Sequence, residues 1–277
     1  IAGDFTVTKL SDDEFMIIGG GMSERYHSRF WKMVPLPEGT TFESRTDAMC
    51  GFNVAGPKSR ELLTRLTNAD LSTAAFPFMR SQQIEIAGVP VVALRVSFTG
   101  DLGWELHCEQ ADQLKLYEAL LDAGKAVGAG PVGSRALMSL RVEKGYGSWS
   151  REYSPEYWPQ EVGLAGLIKL EKEFLHKDAY LRIKDNAPRE VMSLIHVTEV
   201  TTADATGGEP IFLTDGTPVG RVSSGTYGYG VEMSLALGYL KGVAAGTEVD
   251  VMILGKPHRG VVLSEPPFDP KGEKLRA

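Results

Sequence analysis

The segment of this chain that says most about its fold is Phe98-Thr99-Gly100-Asp101-Leu102-Gly103-Trp104-Glu105-Leu106. It predicts a strand that ends at Ser97, a tight turn over Thr-Gly-Asp, and a second strand that begins near Trp104. Side chains alternate across a strand, so Glu105 should face away from its two apolar neighbours. Two interpretations follow: a hairpin with one solvated acid, or a carboxylate that binds a flat heterocycle through adjacent N–H donors.

Composition excludes several classes of function. The chain has 277 residues, 43% hydrophobic and 23% charged, with a formal net charge of −7. The sequence has no block of Lys and Arg of the kind that would indicate a nucleic-acid or membrane-surface partner. No apolar run reaches the roughly 20 residues that a membrane crossing needs. Cys50 and Cys108 are distant in sequence and lack CxxC spacing, which argues against a disulfide framework or a zinc site and favours a reducing compartment.

The sequence lacks the common glycine-rich motifs that bind dinucleotides and nucleotide phosphates. Gly19-Gly20-Gly21 does not have GxGxxG spacing, and no GxxxxGK[ST] occurs in the sequence. A flavin or nicotinamide site would therefore lie outside these residues. The five histidines have no ligand-like spacing, and we expect no metal site.

Periodicity predicts a body of mixed strands and helices followed by a small barrel. We expect a hairpin over 4–19 and a helix over 110–127 whose inner stripe is Leu114, Tyr117, Leu120 and Leu121. Other strands are expected at 40–45, 51–54, 81–86, 90–97 and 167–170, and other helices at 23–34, 57–66, 132–144 and 175–184. Strands and turns over 190–263 predict the barrel. The expected divisions are 1–149, a connecting segment 150–188, and 189–277.

Asp4 is a second acidic candidate. It lies between a glycine and the alternating run Phe5-Thr6-Val7. Its sequence context alone predicts a solvated carboxylate. If it shared a pocket with Glu105, the two carboxylates would take different roles, because their surroundings would separate their pKa values.

Several motifs together resemble those of the glycine-cleavage T-protein (aminomethyltransferase) superfamily. The 98–105 segment is similar to its folate-site signature, aromatic-Thr-Gly-acid-x-Gly-x-Glu, and Ile1 to Thr8 is similar to the strand that carries its catalytic aspartate. Further similar segments, in family order, are Ala55-Gly56-Pro57-Lys58-Ser59, Leu140-Arg141-Val142-Glu143, Pro159-Gln160-Glu161-Val162-Gly163-Leu164 and Ser223-Ser224-Gly225-Thr226-Tyr227.

The resemblance implies an α+β fold, with a folate-binding body of two mixed α/β units and a C-terminal β-barrel. It also implies that about ninety residues of the usual folate domain, including its first strands, would be missing ahead of Ile1. Asp4 becomes the expected catalytic residue. The residues expected to bind tetrahydrofolate are Glu105, which would anchor the pterin edge, and Phe98, Met16, Ile18, Arg141 and Tyr227.

Phe98 departs from the family pattern, which usually has Tyr at this position. Ala136-Leu137-Met138 lacks the folate-holding arginine of the stand-alone enzymes, as do the folate domains of dimethylglycine and sarcosine dehydrogenases. Those domains also favour Gly-x-x-Gly-Trp-Glu-Leu and Leu-Arg-x-Glu-Lys-Gly-Tyr, which occur here over 100–106 and 140–146. The chain is therefore most similar to the C-terminal folate domain of these dehydrogenases. That branch would capture the iminium or formaldehyde from an N-methylamino acid as 5,10-methylenetetrahydrofolate. FAD would bind only in a domain outside this chain, and the compartment would be the cytoplasm or the mitochondrial matrix.

Three alternatives stay open at this point. The chain could be an aminomethyltransferase that acts on a lipoyl-bound aminomethyl group, against which the absent arginine argues. It could be a folate-dependent demethylase of another methyl donor. It could also be a non-catalytic regulatory domain on the same fold, against which the presence of both Asp4 and Glu105 argues.

Overall fold

The structure is a computed structural model that describes residues 1–199 and 202–277. Two compact units are present. The first unit comprises Ile1–Asp4 and Met138–Phe268, and the second unit comprises Phe5–Leu137 and Asp269–Ala277. Each is described separately below.

The second unit begins with the expected hairpin and helix. Strands β1 (Thr6–Lys9) and β2 (Phe15–Ile18) pair antiparallel, and α1 (Glu24–Met33) follows. The turn Ser11-Asp12-Asp13 joins the two strands. It is closed by the backbone amides of Leu10 and Ser11, which both donate to the carbonyl of Glu14. The strand expected at 40–45 is wrong: this segment is irregular and exposed. Its alternation of polar and apolar side chains has no neighbouring strand to pair with, and periodicity alone cannot reveal that.

A four-stranded antiparallel sheet forms the main body of the second unit. In spatial order its strands are β3 (Met49–Ala55), β6 (Gly103–Glu109), β5 (Val89–Leu94) and β4 (Ser81–Ile86). Trp104, Leu106 and Cys108 of β6 are buried together on one face, where they pack with residues of two helices. The prediction that β5 reaches Ser97 is wrong by three residues, since the regular strand ends at Leu94. The elements are β3 (Met49–Ala55), α2 (Ser59–Thr64), β4 (Ser81–Ile86), β5 (Val89–Leu94), β6 (Gly103–Glu109) and α3 (Gln113–Lys125).

Helix α3 buries a different stripe from the expected one. Leu116 is fully buried and Leu120 nearly so, whereas Leu114 is 65% exposed and Tyr117 is 39% exposed. Leu116, Leu120 and Gly124 recur every four residues, which is the spacing of one helix face. Gly124 belongs to this face because a Cβ there would lie 3.3 Å from the Cβ of Ala129. Leu120 is buried as expected, but a hydrophobicity pattern gives a glycine no weight and therefore favours Leu114 and Tyr117, which are exposed.

The first unit contains the barrel. Six strands between Val191 and Val262, numbered β7 to β12 along the chain, close into a barrel in the order β10-β7-β12-β11-β8-β9. This confirms the expected C-terminal barrel. The short strand expected at 167–170 is wrong, because a 3-10 turn over Ala165–Leu167 occupies this region. The remaining elements are α4 (Ser134–Glu143), α5 (Lys177–Leu181), β7 (Val191–Val197), β8 (Pro210–Leu213), β9 (Pro218–Gly228), β10 (Met233–Leu240), β11 (Glu248–Ile253), β12 (Lys256–Val262) and α6 (Glu273–Arg276). Of these, α6 belongs to the second unit, and α4 spans the boundary between the units in sequence.

Gly225 shows why the barrel needs a particular sequence. A Cβ at this position would lie 2.2 Å from the carbonyl oxygen of Ala205, so only glycine allows the two backbones to approach. Among the described residues, no helix combines the length and hydrophobicity that a membrane crossing requires.

Candidate functional site

The loop before β6 is held by local hydrogen bonds. Gly100 has φ +79°, a conformation that favours glycine. The backbone amide of Leu102 donates to the Asp101 carboxylate at 2.9 Å, and its carbonyl accepts from the Ser59 hydroxyl at 3.1 Å. Gly103 permits close approach to β3, since a Cβ there would lie 3.0 Å from the carbonyl oxygen of Val54. The start of β6 is therefore fixed from both sides.

Trp104 fixes the direction in which Glu105 points. The indole is fully buried and packs edge-on against Phe76, with the Arg95 guanidinium 4.8 Å from the ring centroid. Because adjacent side chains of a strand face opposite ways, burial of Trp104 and Leu106 places Glu105 on the other face of the sheet. The expected alternation is thus present in the structure.

The Glu105 carboxylate is half-buried and has few partners. Its side chain is 22% exposed, and its cross-strand neighbours are Asn53 on β3 and Leu94 on β5. Among the described residues, the ionisable group in contact with it is His107, whose Nε2 lies 3.5 Å from Oε2. A carboxylate can accept about four hydrogen bonds, so Glu105 retains capacity for a ligand that carries N–H donors.

The other expected binding residues of the second unit lie in two places. Phe98 is half-buried in the loop that leads to Glu105. Met16 and Ile18 lie on β2, opposite Thr8 and Thr6 of β1, and both are half-buried on one face of the hairpin. The structure therefore joins Phe98 to Glu105 through one loop and strand, and places Met16 and Ile18 on a separate sheet.

Asp4 belongs to the first unit and precedes β1. Its surface remains accessible, yet surrounding protein atoms desolvate the carboxyl group and raise its pKa. The Tyr153 phenol is within its electrostatic reach: desolvation raises the pKa of Tyr153, and the negative charge of Asp4 contributes to the increase. Asp4 thus has the partly desolvated surroundings typical of carboxylates that exchange protons.

Arg141 has a different position from the one expected of a direct folate ligand. Its side chain is 1% exposed, and it donates to the Glu152 carboxylate at 2.7 Å, the Ser224 hydroxyl at 2.7 Å and the Tyr146 carbonyl at 2.9 Å. It could reach a ligand only by breaking a buried ion pair. The geometry favours a supporting role for Arg141 instead of direct contact.

Tyr227 is accessible, as a ligand-binding residue should be. It lies on β9, is 37% exposed, and packs edge-on against Tyr229 with 4.9 Å between ring centroids. Its carbonyl oxygen accepts a hydrogen bond from the Ser139 hydroxyl at 3.0 Å. That bond fixes the backbone of Tyr227 to α4 and leaves the ring accessible.

Sequence reasoning missed two features. It treated His107 as an ordinary histidine, although Glu-x-His spacing on a strand places both side chains on one face. It also treated Cys50 and Cys108 as unrelated, whereas they are paired residues of β3 and β6 with their sulfur atoms 3.4 Å apart. Strand register could have shown the second contact, but register cannot be read from one sequence. Within residues 1–199 and 202–277, no group of three or more potential metal ligands is clustered.

The family models settle the family. Residues 1–172 match the "GCVT N-terminal domain", and residues 193–269 match the "Glycine cleavage T-protein C-terminal barrel domain". The chain belongs to the glycine-cleavage T-protein family. The family expected from the motifs is therefore confirmed.

Individual relatives come from both branches of the superfamily. Human "Dimethylglycine dehydrogenase, mitochondrial" is 34% identical over 273 residues, which are 96% of this chain and 31% of that protein. "Aminomethyltransferase" from Symbiobacterium thermophilum is 32% identical over 216 residues, 76% of this chain and 57% of that protein. The chain thus spans about a third of the length of the dehydrogenase relative.

A solved structure confirms the fold. The glycine cleavage system aminomethyltransferase T from Bartonella henselae matches with a TM-score of 0.82 and 22% identity, covering 98% of this chain and 73% of that one. With the closed six-stranded barrel, this match confirms the expected α+β architecture.

Proposed function

We propose that this chain is a tetrahydrofolate-dependent one-carbon transfer domain in which Glu105 binds the pterin. The observation that carries the proposal is the Glu105 carboxylate itself, which lies on a sheet strand, is half-buried and, among residues 1–199 and 202–277, is short of hydrogen-bond donors. Family membership supplies the class of ligand, since the glycine-cleavage T-protein (aminomethyltransferase) family uses tetrahydrofolate.

The residues present suit this cofactor. The edge of a pterin carries adjacent N–H donors, and a carboxylate that accepts two of them makes short, charge-assisted hydrogen bonds. Phe98, in the loop that leads to Glu105, would supply an aromatic face, and Met16 and Ile18 would supply apolar surface. When bound, tetrahydrofolate would provide the nitrogen nucleophile that takes up the one-carbon unit.

Asp4 is the proposed catalytic residue. As a carboxylate it would stabilise a cationic one-carbon donor and accept a proton from the attacking nitrogen. Desolvation raises the pKa of Asp4, which makes its carboxylate a stronger proton acceptor than a solvated aspartate. Tyr227 is proposed to contact the folate, and Arg141 to hold the barrel residues around Ser224 in place.

The proposed context is a flavoprotein that oxidises an N-methylamino acid. The chain would capture the resulting iminium or formaldehyde as 5,10-methylenetetrahydrofolate, with FAD bound in another domain or subunit. The match to dimethylglycine dehydrogenase over 96% of this chain supports this context, and its mitochondrial name supports a matrix location. A cytoplasmic location and a stand-alone aminomethyltransferase activity are the competing possibilities, the latter supported by the match to an aminomethyltransferase.

The test is tetrahydrofolate binding by Glu105→Gln in the full-length protein, measured by titration calorimetry. Glutamine keeps the size of the side chain and loses the charge-assisted bonds, each typically worth about 1.5–3 kcal/mol, so affinity should fall roughly ten- to a hundredfold. Glu85→Gln is the matched control, because Glu85 is an exposed acid on the same face of the same sheet. Unchanged affinity in Glu105→Gln would remove this residue from the site.

A further inference from the structure

His107 and Glu105 form a pair on the polar face of β6. Their side chains are 14% and 22% exposed, and Nε2 of His107 lies 3.5 Å from Oε2 of Glu105. Nε2 is buried, and within the described residues it makes no hydrogen bond. A small movement of either side chain would convert this contact into a hydrogen bond, which needs a separation of about 2.7–3.2 Å.

The opposite strand leaves a space for the imidazole. Gly51 of β3 is the cross-strand partner of His107. A Cβ at Gly51 would lie 3.0 Å from Nδ1 and 3.1 Å from Cε1 of the ring. The ring therefore lies directly over the backbone of Gly51, and the absence of a side chain there defines its orientation.

Other acids near His107 are less suited to pair with it. His107 lines a cavity of about 400 Å³ together with Glu85 and Glu109. Glu109 is held by Arg45, whose Nη2 lies 2.8 and 3.0 Å from its two carboxylate oxygens. Glu85 lies on β4, and β5 separates that strand from β6. Glu105 is the carboxylate that the imidazole contacts.

We propose that His107 is a positioning residue for Glu105. After the small movement that turns the 3.5 Å contact into a hydrogen bond, Nε2 would hold Oε2 and Oε1 would be presented to the ligand in a fixed orientation. A free glutamate side chain loses rotational freedom when it binds, and a side chain already held in place avoids this loss. The inference rests on the proposed role of Glu105 in folate binding and adds a second residue to that role.

The test is titration of full-length protein with tetrahydrofolate. His107→Leu should weaken binding about three- to tenfold, the usual effect of losing the preorganisation of one side chain. His107→Gln, which keeps an N–H donor near Glu105, should restore most of the affinity. A purely structural histidine would not be rescued selectively by a donor. Equal affinity in wild type and His107→Leu would overturn the inference.

Two further variants separate the possible failures. Gly51→Ala displaces the imidazole without touching Glu105, and it should weaken binding in wild type but not in His107→Leu. In Glu105→Gln, loss of His107 should have little additional effect. If Glu105→Gln binds normally, the proposed function fails; if it binds weakly while His107→Leu and Gly51→Ala bind normally, only this inference fails. Should His107→Leu not fold, His107→Gln and Gly51→Ala still decide.

A separate observation concerns the other face of the same two strands. Cys50 and Cys108 are directly opposed on β3 and β6, and their Sγ atoms are 3.4 Å apart. Opposed residues of antiparallel strands have Cα atoms about 4.5–5.5 Å apart, within the range of about 4.4–6.8 Å that disulfides occupy. Cys108 is buried, and desolvation raises the pKa of its thiol to about 12, whereas Cys50 is half-buried.

The geometry assigns this pair as a modification site that closes to a disulfide on exposure to a peroxide. The thiolate of Cys50, the more accessible sulfur, attacks the O–O bond and becomes a sulfenic acid, while the other oxygen leaves as water after protonation. The Cys108 sulfur then displaces the hydroxyl group, and a second water is released. Two thiols lose two hydrogen atoms in total, and one hydrogen peroxide is reduced to two waters.

The test is hydrogen peroxide treatment of the folded protein, then alkylation in denaturant, digestion and mass measurement of the peptides that contain Cys50 and Cys108. In wild type these two peptides should be joined, lighter by two hydrogen atoms and free of alkylating reagent, and dithiothreitol should restore two reactive thiols. Cys50→Ser and Cys108→Ser should each keep one thiol or show added oxygen. Two alkylated cysteines in treated wild type, or oxygen added to Cys50 without cross-linking, would overturn the assignment.

Discussion

Glu152 in the first unit and Glu105 in the second differ in how many donors surround their carboxylates. Glu152 is fully buried and accepts hydrogen bonds from Arg141 at 2.7 Å, from Ser223 at 2.6 Å and from the backbone of Ser148 at 3.0 Å. Glu105 is 22% exposed, and the ionisable contact that the described part of the chain offers it, His107, is 3.5 Å away. A carboxylate whose capacity is filled by protein stabilises the fold, whereas one with spare capacity is available to a ligand.

The pKa of Glu152 agrees with this distinction. Desolvation alone would raise its pKa, but the charge of Arg141 and the hydrogen bonds from Ser223, Ser224 and Ser148 outweigh it, so the pKa is lowered. The resemblance that implies Arg141 as a folate ligand does not separate these two uses of the Leu140-Arg141-Val142-Glu143 segment. The difference depends on Glu152, eleven residues further along the chain.

The largest expected effect tests the filled carboxylate. Arg141→Met leaves Glu152 buried without its cation, and breaking a buried pair in this way typically costs about 3–5 kcal/mol. Urea unfolding followed by circular dichroism should show this loss. Arg45→Met is the control, because the Arg45–Glu109 pair is exposed and such pairs contribute about 0–1 kcal/mol. Similar losses in both variants would contradict the distinction.

Asp4→Asn tests an acid that we propose acts on charge and not on packing. The variant should bind tetrahydrofolate normally, and one-carbon transfer should fall by about 10²–10⁴-fold, the usual contribution of a positioned acid–base group. The measurement is the partition between 5,10-methylenetetrahydrofolate and free formaldehyde, corrected for spontaneous condensation. Asp12→Asn, at an exposed acid in the β1–β2 turn, is the control. Equal corrected yields in wild type and Asp4→Asn would favour a non-catalytic domain.

The fold could be predicted from sequence wherever local chemistry decides it. The hairpin at Thr6–Ile18, the alternation around Glu105 and the run of strands that forms the barrel all follow from periodicity and turn residues. The strand expected at 40–45 and the α3 stripe at Leu114 and Tyr117 fail, because both depend on which neighbours the fold brings alongside. Tertiary contacts override local pattern at such positions.

The candidate site divides in the same way. Glu105 could be found because its turn motif and strand alternation are local in sequence. The surroundings that define its chemistry could not: the space over Gly51, the contact with His107 and the paired sulfurs of Cys50 and Cys108 all depend on strand register.

The pH dependence of stability at Glu161, another carboxylate whose hydrogen-bonding capacity is filled by protein, tests the same comparison with a smaller expected change in the free energy of unfolding. Hydrogen bonds from Arg189 lower the pKa of the buried Glu161 to about 2. Because the folded pKa lies below the unfolded value of about 4.5, this carboxylate stabilises the protein above pH 4.5, and the contribution is lost as the pH falls from about 4.5 to 2. Allowing for the exposed Arg189, the expected loss is on the order of 2 kcal/mol. Urea midpoints measured across this range should vary less in Glu161→Gln than in wild type or in Glu85→Gln.

The smallest expected effect concerns the carboxylate with spare capacity. Glu105→Gln should change the free energy of unfolding by less than about 0.5 kcal/mol, since it removes no strong hydrogen bond and keeps the side-chain volume. Glu152→Gln, the same chemical change, should cost about 3 kcal/mol, because it leaves the Arg141 guanidinium buried without a counter-ion. The measurement is the free energy of unfolding of the two variants in urea at neutral pH, and both variants replace a glutamate by a glutamine. A cost at Glu105 as large as that at Glu152 would mean that Glu105 supports the sheet. A small cost together with weakened tetrahydrofolate binding would assign its carboxylate to the ligand, because stability and affinity would then depend on different acids.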